Sequence, residues 1–212
     1  MLIIEMESHC KHAKGYEKDI LQQYVDRYAI LYAAIIIWFF LSAFVTICNP
    51  LFSADTFPTH AKYPFNIQHQ PLKTIIFVQQ SYTGIQIASQ LCNNVFTALL
   101  LWYATAKFDI LSNKLRAISN IYELILCIHR HQQTLRYASD VTYAVRFLVL
   151  TTVGCSAMGL LFSGIIFISR QPVLIKMQFL LLSFICLFEV FICCWPANNL
   201  LLMVRILMTE ET

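Results

Sequence analysis

Thr74 to Ala106 holds no charged residue. The run exceeds the roughly 20 residues an α-helix needs to cross a bilayer, so it predicts a transmembrane helix. Its two halves differ. The first carries Gln79, Gln80, Ser81, Tyr82, Thr83, Gln86, Ser89 and Gln90, and the second reads Val95-Phe96-Thr97-Ala98-Leu99-Leu100-Leu101-Trp102-Tyr103. A span with a polar half is expected to turn that half toward other helices or a water-lined cavity, away from lipid. The whole chain agrees with a membrane setting. It is 58% hydrophobic and 13% charged, where soluble domains carry about 25% charge. That composition argues for a polytopic membrane protein and against a soluble enzyme. A net charge of +3, with no basic patch interleaved with aromatics, argues against a nucleic-acid partner.

Three further spans follow from uncharged or nearly uncharged runs. Residues 29–48 contain Ile35-Ile36-Ile37-Trp38-Phe39-Phe40-Leu41 and stop at Asn49-Pro50, because proline breaks the helical ladder. Tyr16, Ile20, Tyr24 and Tyr28 repeat every four residues ahead of it, which predicts a helix from Tyr16 running straight into the membrane. Pro50, Pro58, Pro64 and Pro71 punctuate an ordered, non-helical loop before the 74–106 span. Beyond that span, Phe108, Leu111, Leu115, Ile118, Tyr122 and Ile125 keep helical spacing with charges between them, predicting an amphipathic extension. A turn is expected near Cys127 to Gln133, followed by a helix from Thr134 to Arg146. Residues 147–169 and 173–204 form the last two spans, joined by a tight Arg170-Gln171-Pro172 turn. Gly159 and Ser163 make a small-xxx-small pair that admits a neighbouring helix. The expected fold is thus all-α, a polytopic transmembrane helical bundle in one domain over 1–212, with a helical segment at 107–146 outside the bilayer. Eleven Lys/Arg fall on the side of the N-terminus, 107–146 and the C-terminus, against Lys62, Lys73, Arg170 and Lys176 on the other. That excess places the N-terminus, the 107–146 segment and the C-terminus in the cytoplasm.

Few motifs carry chemistry. Six of the eight cysteines, Cys48, Cys92, Cys155, Cys186, Cys193 and Cys194, lie in apolar runs as small hydrophobes, and no Cys/His spacing fits zinc. Residues 1–28 lack the apolar core of a signal peptide. Asp26-Arg27-Tyr28 matches the DRY triplet of rhodopsin-like G-protein-coupled receptors but opens a span where theirs closes one, and Cys194-Trp195-Pro196 has the wrong spacing for their CWxP element. His129 and His131, two apart on a helix, point to different faces and read as a solvated basic turn. Cys193-Cys194 reads as packing, with acylation the sharper alternative. No nucleophile elbow, P-loop or metalloprotease motif occurs, so no catalytic residue, metal or cofactor is expected. Glu189 is the one charge inside the 173–204 span. A carboxylate there costs roughly 2.5–3.5 kcal/mol unless paired or neutral. It is either part of a cavity or a neutral acid bonded to a neighbouring helix, with Asn93 or Asn94 as partner.

The polar outer half of the 74–106 run either bonds helices together or walls a small-molecule pocket, apolar with a few polar groups. The pocket reading is preferred. Its candidate contacts are Trp38, Ser42 and Val45, which share a face at four- and three-residue spacing, Gln79, Thr83 and Gln86 on the second span, and Phe179 and Ser183 on the fourth.

Several patches resemble insect odorant receptors. Ala61-Lys62-Tyr63-Pro64-Phe65, followed by Pro71, Ile75-Ile76 and Gln79-Gln80, is similar to that family's outer loop and the start of its fourth helix. Phe108-Asp109-Ile110-Leu111-Ser112-Asn113-Lys114-Leu115 resembles its cytoplasmic stretch after that helix. Cys127-Ile128-His129-Arg130-His131-Gln132-Gln133-Thr134-Leu135, with Tyr137-Ala138, resembles its His-Gln element before the fifth helix. The resemblance implies that the four spans are helices three to six of a seven-helix subunit, with the chain a partial sequence or truncated product. It also implies a volatile organic ligand in the outer half of the bundle, an odorant co-receptor subunit completing a hetero-tetrameric cation channel, and a plasma-membrane location among lipid. A gustatory-type receptor channel subunit is the alternative; a G-protein-coupled receptor or transporter fragment is the less favoured one.

Overall fold

A computed structural model describes residues 2–13, 15–52, 70–118 and 120–210, and every regular element among them is an α-helix. They are α1 (Leu2–His12), α2 (Tyr16–Phe52), α3 (Leu72–Arg116), α4 (Ile121–Ile168) and α5 (Val173–Glu210). The all-α class holds, and α2 to α5 are each long and apolar enough to cross a membrane. Much of the proline-rich loop, with Pro58, Pro64 and the Ala61–Phe65 patch, lies outside the described residues.

Local chemistry sets the helix ends. Between α1 and α2, Gly15 adopts φ 52°, a left-handed conformation that glycine takes without a Cβ penalty. Its carbonyl then accepts the amides of Lys18 and Asp19, at 3.0 and 3.3 Å, and so starts α2. Pro50 does not stop α2, which runs two residues further to Phe52. In the last turn the missing N–H forfeits one ladder bond, which a helix end tolerates. The turn between α3 and α4 is at residues 117–120, correcting the expectation of a break at Cys127 to Gln133, which is helical. Asn120 is the extended N-cap residue of α4, at φ −129° and ψ 150°, although its side chain makes no cap bond. Its carbonyl accepts the Leu124 amide at 3.1 Å. Cys127 to Gln133 contains no residue that breaks a helix, whereas asparagine favours the N-cap. The regular spacing from Phe108 onward therefore crosses a turn. Phe108 and Leu111 are buried, while Tyr122 and Ile125, beyond it, are exposed. His129-Arg130-His131 is accordingly helical and not a turn.

The chain divides into two compact units. The larger comprises Met1–Arg27 and Asn94–Thr212. Its core gathers Leu100, Leu101, Phe108 and Leu111 of α3, Tyr137, Val141 and Val145 of α4, and Leu200 of α5. Phe108, Leu111, Tyr137 and Val141 belong to the charge-bearing stretch between apolar runs, where water is the alternative surrounding. There each buried side chain contributes about 1.5–3 kcal/mol through the hydrophobic effect. Between α4 and α5 the helices close on small residues. A Cβ placed on Gly159 would sit 2.9 Å from Cys186 Sγ, and Ser163 is buried one turn on. The small-xxx-small pair does what its spacing predicts. Edge-on contact of Trp102 with Trp195 at 5.5 Å ties α3 to α5, and Phe191 stacks on the same Trp195.

The smaller unit is Tyr28–Asn93, the C-terminal part of α2 and the N-terminal part of α3. Ile76, Ala88 and Leu91 are its buried positions on α3, and Tyr28 and Tyr32 those on α2. Gly84 faces Ile47 across the pair. Within this chain the polar half of α3 is the more open half, which leaves it free to face other helices or a water-lined cavity. Gln79, Thr83, Gln86 and Ser89 are exposed, and it is the apolar half that is enclosed. In the most apolar stretch of α3, 78% of residues are buried, against 11% to 18% in the other three spanning helices.

Candidate functional site

Six of the eight candidate ligand contacts lie in the smaller unit. Trp38, Ser42 and Val45 form an exposed stripe on α2, off the face carrying Tyr28, Tyr32 and Ile47. Gln79, Thr83 and Gln86 form an exposed stripe on α3, off the face carrying Ile76, Gly84 and Ala88. Each hydroxyl already donates within its own helix: Ser42 Oγ to the Phe39 carbonyl at 2.8 Å, Thr83 Oγ1 to the Gln79 carbonyl at 2.9 Å. That habit satisfies the proton and leaves the oxygen as an acceptor. The exposed amides of Gln79 and Gln86 are then the stripe's donors. Phe179 and Ser183 belong to the larger unit, where both are half-buried and Ser183 Oγ donates to the Phe179 carbonyl at 2.9 Å.

Glu189, also half-buried, has Ser156 of α4 beside it, whose enclosed hydroxyl makes no hydrogen bond. Asn94 is engaged elsewhere, its carbonyl accepting from Thr152 Oγ1 at 3.1 Å. Thr152 and Ser156 are one helical turn apart, so α4 offers a short buried polar ladder to both flanking helices.

A second site escaped the reading of the sequence. A cavity of about 970 Å³ opens in the larger unit, lined by α1, the start of α2, the inner end of α3 and the first third of α4. Its wall is held by ion pairs between distant segments. Glu5 of α1 pairs with Lys107 of α3 at 2.8 Å, and Glu17 of α2 pairs with Lys114 of α3 and, at 3.3 Å, with Arg130 of α4. Lys107 Nζ also lies 4.1 Å from the centre of the Tyr137 ring, a cation–π contact. Tyr103 packs edge-on against Tyr137 at 5.5 Å and against His9 at 6.0 Å. Burial and the neighbouring Lys107 lower the pKa of His9, outweighing the opposite pull of Glu17. The four basic residues at this end were read only as orientation charges. Glu5 and Glu17, sitting in a mixed-charge N-terminal segment, were the overlooked signal for what those cations hold.

Four long apolar helices, one carrying a half-buried carboxylate and another an exposed polar stripe, are those of a multi-pass membrane protein. The family model described as 7tm Odorant receptor matches residues 2–205, nearly the whole sequence. The chain belongs to the odorant receptor family. No curated protein and no solved structure matches it.

Proposed function

We propose that this chain is an odorant receptor subunit that binds a small volatile organic molecule in the outer half of its helical bundle and, with a co-receptor subunit, gates a cation channel in the plasma membrane. The family match over residues 2–205 carries this reading. The exposed stripes add to it. An amide facing hydrocarbon without a partner costs several kcal/mol, so the Gln79 and Gln86 faces call for a ligand, water or another helix. Apolar burial beside Trp38 and Val45 supplies most of the affinity, and Gln79, Gln86, Thr83 and Ser42 fix orientation. Phe179 and Ser183, in the larger unit, offer an aromatic ring and a hydroxyl of their own on α5. The N-terminus faces the cytoplasm, as the lysine and arginine excess requires.

Expression of the gene with a co-receptor, and recording of odour-evoked current across a broad panel, tests this directly. Gln86→Leu and Trp38→Ala are expected to shift the half-maximal odour concentration about tenfold, the loss of roughly 1.4 kcal/mol of binding, with surface expression unchanged. A silent panel refutes the receptor reading, and unshifted responses in both variants refute the placement of the ligand. An N-terminal epitope accessible without permeabilisation refutes the orientation.

A further inference from the structure

We propose that the inner cavity is a binding site for a phosphorylated polyol, either a soluble sugar or inositol phosphate or the headgroup of an anionic lipid. It goes beyond the odorant site and shares no residue with it. The cavity volume of about 970 Å³ suits a small phosphorylated molecule better than a lone ion. Four Lys or Arg side chains line it, Lys107, Lys114, Arg130 and Arg136, against the carboxylates Glu5, Glu17 and Asp140.

The pairing pattern shows which of these are available. Glu17 is shared between Lys114 and Arg130, so that triad is internally satisfied. Arg136 makes no ion pair among the described residues. The Tyr137 side chain is almost wholly enclosed, at 2% exposure, and its hydroxyl has no hydrogen-bond partner. His9 Nδ1, from another lining helix, is buried and equally without a partner. Buried polar atoms are normally satisfied, and two orphans lining one cavity point to a missing group. Besides its contact with the Tyr137 ring, Lys107 is ion-paired among the described residues with Glu5, whose side chain is half exposed on α1. An incoming anion can therefore take Lys107 from Glu5 at little cost.

These donors come from α1, α3 and α4 and point at a compact anion with several acceptor oxygens. A phosphate meets that geometry and pairs with the planar Arg136 fork, whereas a planar carboxylate has oxygens in only one direction. Asp140, one turn from Arg136 and also unpaired among the described residues, accepts hydroxyl groups. A cation set beside an unpaired carboxylate is the complement of a phosphate carried on a polyol.

The test uses the purified chain in two settings. Inositol 1,4,5-trisphosphate is titrated against it in detergent by calorimetry. Separately, it is reconstituted into nanodiscs containing phosphatidylinositol 4,5-bisphosphate or, at matched charge, phosphatidylserine, with inner-site occupancy read by protection of α1 amides from exchange. One saturable site is expected, weakened at least tenfold by Arg136→Gln and about threefold by Tyr137→Phe, and tightened by Glu5→Gln. Binding of the soluble probe assigns a soluble ligand; protection by the phosphoinositide alone assigns the lipid headgroup. Tyr137→Phe keeps the ring and the net charge, and Glu5→Gln lies on an exposed helix, so both stay informative if Arg136→Gln fails to fold. No saturable binding of either probe overturns the site. So does equal protection by phosphatidylserine, or binding that Tyr137→Phe leaves unchanged.

Discussion

Replacing Gly159 with alanine sets two effects of opposite sign against each other. Alanine is favoured over glycine within a helix by about 0.5–1 kcal/mol. Against that, the added Cβ would stand 2.9 Å from Cys186 Sγ, about 0.6 Å inside the short end of ordinary non-bonded contact. Cys186 is buried, at 8% exposure, so its sulfur has little room to retreat. Overpacking of this kind costs about 1–3 kcal/mol, and the net expectation for Gly159→Ala is a loss of about 1 kcal/mol. Cys186→Ala removes the clashing atom. In that background Gly159→Ala is expected to be neutral or stabilising, which gives a coupling of at least about 1 kcal/mol in a double-mutant cycle. The assay is unfolding of the purified chain in mixed micelles, followed by tryptophan fluorescence, with Trp195 on α5 and its partner Trp102 on α3 as reporters. Additive effects of the two substitutions refute the close approach of α4 and α5 at this point.

Three other outcomes follow from the larger unit. Glu17→Gln breaks two ion pairs whose carboxylate is 17% exposed. That protection lies between an exposed pair, worth about 0–1 kcal/mol, and a buried one, worth about 3–5 kcal/mol when broken. A loss of about 2 kcal/mol is expected, and a cycle with Lys114→Gln that gives no coupling refutes it. Phe108→Ala empties a fully buried site and should cost about 3–5 kcal/mol, read in the same unfolding assay. His9 has a pKa below its ordinary 6.5 when docked, so the unfolded or undocked segment binds the extra proton more readily. The docking contribution is therefore complete above pH 6.5 and declines as pH falls below it. Amide exchange in α1 should accelerate between pH 7.5 and 5.5 beyond the intrinsic change, and His9→Phe should flatten that response.

Helix content and span number were legible because apolar runs without charge leave a chain few alternatives. The Gly159 and Ser163 spacing likewise announced a close helix contact, since nothing but a small side chain permits one. The α3–α4 turn was not legible from periodicity. Phe108 to Ile125 keeps its spacing through residues 117–120 by coincidence, and Asn120, not a glycine or proline, marks the break. The surroundings of Glu189 were not legible either: Ser156 beside it is an inconspicuous residue in an apolar run, and Asn94 bonds to Thr152 instead. The inner cavity depends on pairings between residues more than ninety positions apart, Glu5 with Lys107 and Glu17 with Lys114. No local pattern encodes those.

The two halves of α3 answer to different surroundings, and that sets which of them is buried. From Asn94 inward, the helix meets partners on several sides, and its buried residues include Leu101, Trp102, Ala104 and Phe108 as well as Asn94, Thr97 and Thr105. Its polar members are there accommodated singly: Thr105 donates to the Leu101 carbonyl at 2.9 Å, and Asn94 accepts from Thr152. In the outer half a single packed face, Ile76, Gly84, Ala88 and Leu91, satisfies the contact with α2. Gln79, Thr83, Gln86 and Ser89 lie on the open side, while Gln80, Ser81 and Gln90 are half-buried. A helix serving only as structural support would use its amides to bond its neighbours. Gln79 and Gln86 are committed to no neighbour among the described residues, and in the proposed function that uncommitted polarity is what faces the ligand.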